Sequence, residues 1–254
     1  MIDWAELTLF LYITARITGC MLFNPILGRR GIPAIFRSGF ILMLSLFAYS
    51  ISGQRTEVPG GILEMGLRLL LELSVGFFLG MVVNFFFYIP QLTGSVVDTQ
   101  MGMTMNQTYD PGAQANMSVT GSQLNVLMTM LFFAGYGHHT LLRIILTSGR
   151  IVAFGSVSLG PQVYRAMLEL FVECSVLGIK LCMPILAAEL IAQLGMGILM
   201  KVIPQINVFA INLELKIIIG LALLFLLMIP FGEFLLQAEI AMLDRLSELL
   251  ALMG

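Results

Sequence analysis

Long apolar runs, joined by short polar links, set the pattern of this chain. The first covers residues 7–27 and is broken near its end by Pro25. An arginine-bearing link follows (Arg29, Arg30, Pro33, Arg37), then a second run over 38–52. Gly53, Gln54, Arg55, Thr56 and Glu57, with Pro59-Gly60-Gly61 behind them, close that run as Pro/Gly clusters close elements. The third run opens with Glu64, Arg68 and Glu72 four apart, a spacing that permits i,i+4 ion pairs on a helix. No charge then occurs over 73–97, ample for a membrane span. Gly76 and Gly80 within it form Gly-x-x-x-Gly, a signature of close helix contact in membranes. Further spans are predicted over 124–146, 168–200 and 217–234. The run over 168–200 is too long for one simple crossing, and Pro184 with Gly195 and Gly197 predicts a kink or break. The tail over 233–249 alternates Leu, Ile and Met with Glu239, Asp244, Arg245 and Glu248, as in an amphipathic helix leaving a membrane.

Composition turns these runs into a membrane protein. Of 254 residues, 58% are hydrophobic and 11% charged, and mean hydropathy is +0.95. Soluble domains carry about 25% charged residues, so this chain lacks the polar surface to coat a globule in water. Its length allows roughly five to seven crossings of about 20 residues. The predicted fold class is all-α: a polytopic membrane protein of about six long, partly broken hydrophobic helices. A net charge of −2 gives no basic footprint, which argues against a nucleic-acid partner. Cys20, Cys174 and Cys182 all stand in apolar stretches and read as buried free thiols. The start, Met-Ile-Asp-Trp-Ala-Glu, is acidic where a secretory signal is positive, so the first run is expected to be retained as a helix. No internal repeat of the kind secondary transporters often show is evident.

Two features depart from ordinary membrane helices. Between Asp98 and Arg143 only Asp110 is fully charged, yet residues 104–125 are rich in Thr, Asn, Gln, Ser and Gly. A loop in water normally recruits Lys and Glu, and a loop facing lipid leaves backbone groups unpaired at several kcal/mol each. The segment therefore reads either as folded back into a protein-lined cavity or pore, or as a short external loop with a turn at Tyr109-Asp110-Pro111-Gly112. Met101, Met103 and Met105 precede it, and their soft side chains could seal a pore or simply fill a core.

The second feature is intramembrane charge. Glu169, Glu173 and Lys180 fall within about 40° of one another on a helix of 3.6 residues per turn. Each such charge costs about 2.5–3.5 kcal/mol at mid-membrane, so that face is expected to meet water, protein or its own ion pair. Glu189 points the opposite way, beyond Pro184; Arg16 and Asp98 raise the same question in other runs. His138-His139 ends an apolar run and reads as an interfacial or hydrogen-bonding pair. No His-Glu-x-x-His, Gly-x-Ser-x-Gly or P-loop is present, so neither an enzyme nor a cofactor is expected.

Four stretches carry a resemblance. They are Arg16-Ile-Thr-Gly19 with Pro25, Gly28, Arg29, Ile32-Pro33 and Arg37; Gly94-Ser-Val-Val-Asp98-Thr-Gln100-Met-Gly102 with Asp110-Pro111; Leu131-Phe-Phe with Gly137-His138-His139 and Leu142; and Pro184-Ile-Leu-Ala-Ala with Gly197-Ile-Leu-Met-Lys201-Val-Ile-Pro204-Gln205-Ile-Asn207-Val-Phe209, Lys216 and Gly220-Leu221. In this order and spacing the chain resembles the flagellar R protein (FliR) family, known in injectisomes as the T subunit. The resemblance covers nearly the whole chain. It departs after Ser148, where the family shows an aromatic residue and then proline, and this chain has Gly149 and Ala153.

The resemblance implies an assembly more than a site. Residues 1–162 would be P-subunit-like, and 163–254 a Q-subunit-like hairpin with its tail, packed with P and Q subunits in a hetero-oligomeric type III export gate. Residues 106–122 match the family's plug loop, with Met103, Met105, Asn106, Asp110, Pro111, Gly112 and Gly121 at the pore. Lys201, Pro204, Gln205, Asn207 and Lys216 would form a cytoplasmic hairpin that meets the substrate-specificity switch protein B. Lys201 and Lys216 fit a positive-inside bias, which Arg55, Arg150, Arg165 and Arg245 weaken. The expected setting is the bacterial inner membrane at the flagellar basal body, with lipid around the gate and exported flagellar proteins in transit. In such gates, helices that read as spans are raised partly out of the bilayer against their neighbours. The rival reading is a secondary transporter that couples ions through Asp98, Glu169, Glu173 and Lys180.

Overall fold

The computed structural model describes residues 4–28, 31–54, 56, 58–103, 108–110, 115–202 and 208–254, with backbone alone at 108–110, 115–117, 208–211 and 213. Among them the chain forms α1 (Trp4–Phe23), α2 (Ala34–Ser52), α3 (Ile62–Gln100), α4 (Val119–Ala134), α5 (Gly137–Ile151), α6 (Pro161–Val202), α7 (Val208–Leu226) and α8 (Met228–Met253). One two-stranded antiparallel ribbon, β1 (Thr108–Asp110) with β2 (Ala115–Met117), stands between α3 and α4. The protein is therefore an all-α polytopic membrane protein with one small ribbon. Four helices, α1, α2, α3 and α6, are long and apolar enough to cross a membrane, or five if the bent α7–α8 pair counts as one.

The apolar runs do not all become single helices. The run over 124–146 divides at Tyr136, whose φ of 58° is the one positive value among described non-glycine residues. Gly135 and Gly137 flank it, and glycine weakens a helix interior. The resulting α4 and α5, 16 and 15 residues long, reach only about 24 and 22 Å at 1.5 Å per residue, against a hydrocarbon core of about 30 Å. The last run is also divided: α7 and α8 meet at a 60° bend. By contrast α6 continues through Pro184 and the Gly195–Gly197 stretch without interruption, so the break predicted there is absent.

Packing separates the chain into two units. The first comprises Met1–Phe86, Phe132–Val172 and Glu239–Gly254. Its core includes Tyr12, Ile13, Leu79, Phe86, Leu141 and Leu246, all buried. Here α1 and α3 interlock through glycines. A Cβ on Gly76 would overlap the Arg16 carbonyl oxygen, one on Gly19 would overlap that of Leu73, and one on Gly80 would lie 2.9 Å from that of Cys20. The Gly-x-x-x-Gly is thus a helix contact that larger residues would prise open.

The second unit comprises Phe87–Leu131 and Glu173–Ala238. Ile89, Val97, Met101, Met128, Cys182 and Ile185 fill it. The Thr93 hydroxyl donates to the Gly178 carbonyl at 2.9 Å, tying α3 to α6. All three cysteines are buried free thiols.

Candidate functional site: a polar hairpin, its anchors and the buried charges

The polar ribbon is held at its base by the end of α3. Asp98 is 2% exposed, and its Oδ2 accepts from the Thr120 N–H at 3.2 Å. Ser118 Oγ accepts from the Gly121 N–H at 3.0 Å. Thr120 and Gly121 open α4, so two of its orphan donors are satisfied, and the carboxylate stands at the positive end of the helix dipole. These contacts stabilise one oxygen of the buried acid; Oδ1 has no hydrogen-bond partner among the described residues. Gly102, at φ 75°, turns the chain after α3, and the Met103 N–H donates back to the Asp98 carbonyl at 2.8 Å.

Close backbone contact completes the anchor. A Cβ on Gly94 would overlap Gly121 itself, and one on Gly121 would fall 2.5 Å from Ser118 Oγ. From this base the ribbon pairs Thr108 with Met117, Tyr109 with Asn116 and Asp110 with Ala115. Met101 is fully buried and lies where a Cβ on Gly220 of α7 would collide with it. Met101 is a core residue, while Met103 is half-buried. Of the residues proposed for the plug, Met105, Asn106, Pro111 and Gly112 lie outside the described residues, and Asp110 is described by its backbone alone. Gly121 is buried.

Arg16 shows how the fold accommodates an intramembrane cation. It is 1% exposed and pairs with Glu72, itself 0% exposed, at Nε–Oε2 2.6 Å. One guanidinium nitrogen, Nη1, donates to the Val152 carbonyl at 3.0 Å and to Ser148 Oγ at 3.3 Å. Its Cζ lies 4.3 Å from the centre of the Phe154 ring, a cation–π contact. Glu72 Oε1 accepts from the Gly155 N–H at 2.7 Å, with Gly155 at φ 85°. Gln54 ties the same turn down: its Nε2 donates to the Gly149 carbonyl at 2.6 Å and its Oε1 accepts from the Phe154 N–H at 3.4 Å. The 148–156 segment thus wraps this pair. Glu72 leaves the i,i+4 series predicted for it, because burial beside Arg16 outweighs a surface pair; Arg68 and Glu64 do form theirs.

Sequence reading missed Glu72 as the partner of Arg16. The available signal was its flanking leucines, which make an acid at that position as costly as an arginine in the first run. Glu169 and Lys180 are exposed on α6 and Glu173 is half-buried, while Glu189 is fully buried. Lys201 is exposed and Lys216 half-buried; Pro204, Gln205 and Asn207, like Arg29, Arg30 and Arg55, lie outside the described residues. His138 and His139 do not diverge as adjacent mid-helix residues would. Following left-handed Tyr136, their ring centroids lie 4.1 Å apart, and the Tyr136 ring stacks on His139 at 5.7 Å.

Several helices long and apolar enough to cross a membrane, joined by short links and one small polar ribbon, define a polytopic membrane protein. Residues 7–240 match the family described as Bacterial export proteins, family 1, and the chain belongs to that family. It is 25% identical to the flagellar biosynthetic protein FliR of Bacillus subtilis (strain 168), over 96% of this chain and 95% of that protein. It is 26% identical to the FliR of Escherichia coli (strain K12), over 96% and 94%. It is also 23% identical to the Yop proteins translocation protein T of Yersinia pestis, over 92% and 91%.

Proposed function

We propose that this chain is a structural, non-enzymatic, pore-forming subunit of a flagellar type III protein export gate in the bacterial inner membrane, with residues 106–122 closing the pore at rest. The observation that carries this reading is the polar, nearly uncharged segment between α3 and α4, anchored at its base by buried Asp98 and by the Gly94–Gly121 contact. A segment so tethered yet so poor in charge suits a protein-lined passage better than lipid or bulk water. Residues 1–162 act as the P-like part and 163–254 as the Q-like part, a division of resemblance and not of packing. The partners are P- and Q-type gate subunits, and the 201–216 hairpin meets the switch protein B.

The apolar exposure fits an assembly. Only 22% of the apolar stretch of α2 is buried within this chain, against 50% for α1. The transporter rival is disfavoured because Glu169 and Lys180 are exposed and Asp98 serves the start of α4. Substituting Asp110, Gly112 or Gly121 in the assembled gate is expected to raise small-ion leak across vesicles. Unchanged leak in all three variants would remove the plug assignment.

A further inference from the structure

Four carboxylates are buried among the described residues: Glu72, Asp98, Glu189 and Glu239. Glu72 has Arg16 and the Gly155 N–H. Asp98 has the Thr120 N–H at the start of α4. One oxygen of Glu239 sits where a Cβ on Gly137, the first residue of α5, would strike it, beside a helix N-terminus that favours negative charge. Glu189 has none of these. It is 0% exposed, and neither carboxylate oxygen has a hydrogen-bond partner among the described residues. It sits on α6 in the second unit, near fully buried Ile185 one turn earlier. Lys216, half-buried on α7 in the same unit, donates to neither oxygen. A bare carboxylate without a donor or cation is among the costliest groups to bury, and it neutralises instead.

We propose that Glu189 is a proton-binding site in the α6–α7 hairpin, occupied at rest and emptied when Lys216 closes onto it. In that step the carboxylic O–H bond breaks, the proton passes to water, and the carboxylate left behind pairs with the Lys216 ammonium. The buried neutral acid and the closed ion pair are two arrangements of one hairpin, so proton occupancy and the spacing of α6 and α7 are linked. The inference rests on burial and on the missing donors, and it stands whether or not residues 106–122 close a pore.

Infrared difference spectroscopy on the full-length chain in detergent, with pH varied, tests it. At neutral pH the wild type should show a carboxylic-acid carbonyl band that shifts in heavy water and is lost in Glu189→Gln. Lys216→Gln keeps the acid but removes the cation that stabilises its charged form, so its band should outlast that of the wild type as pH rises. If Glu189→Gln does not fold, carbon-13 glutamate in the wild type and the Lys216→Gln titration carry the test. Absence of any acid band at neutral pH would overturn the proposal. So would a band that added sodium or potassium removes at fixed pH, which would make this a metal-cation site. An unchanged titration in Lys216→Gln would refute the part given to Lys216.

Discussion

Arg16 and Glu72 lie 56 positions apart, and each makes the other tolerable in an apolar interior. Their attraction offsets desolvation only while both are present; losing one partner strands a buried charge, at about 3–5 kcal/mol. Arg16→Leu and Glu72→Leu should each cost about that much in thermal unfolding of the detergent-solubilised protein. The double variant should lose less than either single one, because no charge is stranded, although Gly155 N–H and the Val152 carbonyl lose partners. A double variant as unstable as the sum of the two singles would show that the pair is not coupled. Asp98 is a second residue-scale case. Asp98→Asn keeps an acceptor for the Thr120 N–H and should leave exchange protection at the start of α4 nearly intact. Asp98→Ala removes it and should cost about 1–3 kcal/mol, read as faster hydrogen exchange at 119–122.

At the scale of elements, α1 and α3 meet backbone to backbone. Gly76→Leu must displace the Arg16 carbonyl and should destabilise the protein by at least the roughly 1–3 kcal/mol typical of overpacking. An unchanged melting temperature would contradict the contact. Helix length carries its own prediction. The 39 residues of α3 and 42 of α6 reach about 58 and 63 Å at 1.5 Å per residue. A core of about 30 Å, even at the roughly 40° limit of common tilts, accommodates only about 39 Å. Part of each helix must therefore stand outside the hydrocarbon. Leu63→Cys and Leu67→Cys, in the charged first turns of α3, should react with a membrane-impermeant maleimide in a cysteine-free background, whereas Val83→Cys should not. Much of this was legible in sequence: the apolar runs located α1, α2, α3 and α6, and Gly76 with Gly80 marked the contact on α3. The Arg16–Glu72 pair was not, because helical periodicity relates residues three or four apart and says nothing of partners 56 positions away. The division at Tyr136 was hidden by an apolar run whose hydropathy does not register a left-handed residue between two glycines.

At the scale of the whole molecule, each packing unit gathers stretches distant in sequence, so neither can form from one contiguous segment. Large apolar side chains remain exposed along α2, among them Ile35, Phe36, Met43 and Leu46, and along α6, among them Leu190, Ile191 and Leu194. Lipid or neighbouring subunits must cover these faces. Sequence made the export family legible through four spaced stretches, whereas Met105, Asn106, Pro111, Gly112, Pro204, Gln205 and Asn207 lie outside the described residues. The central claim is that this chain is one subunit of a larger gate. Its most direct test is co-expression with P- and Q-type subunits, purification in mild detergent and mass measurement of the intact particle. The account predicts one large, defined complex that contains a single copy of this chain. A lone monomer or dimer, despite well-expressed partners, would contradict it.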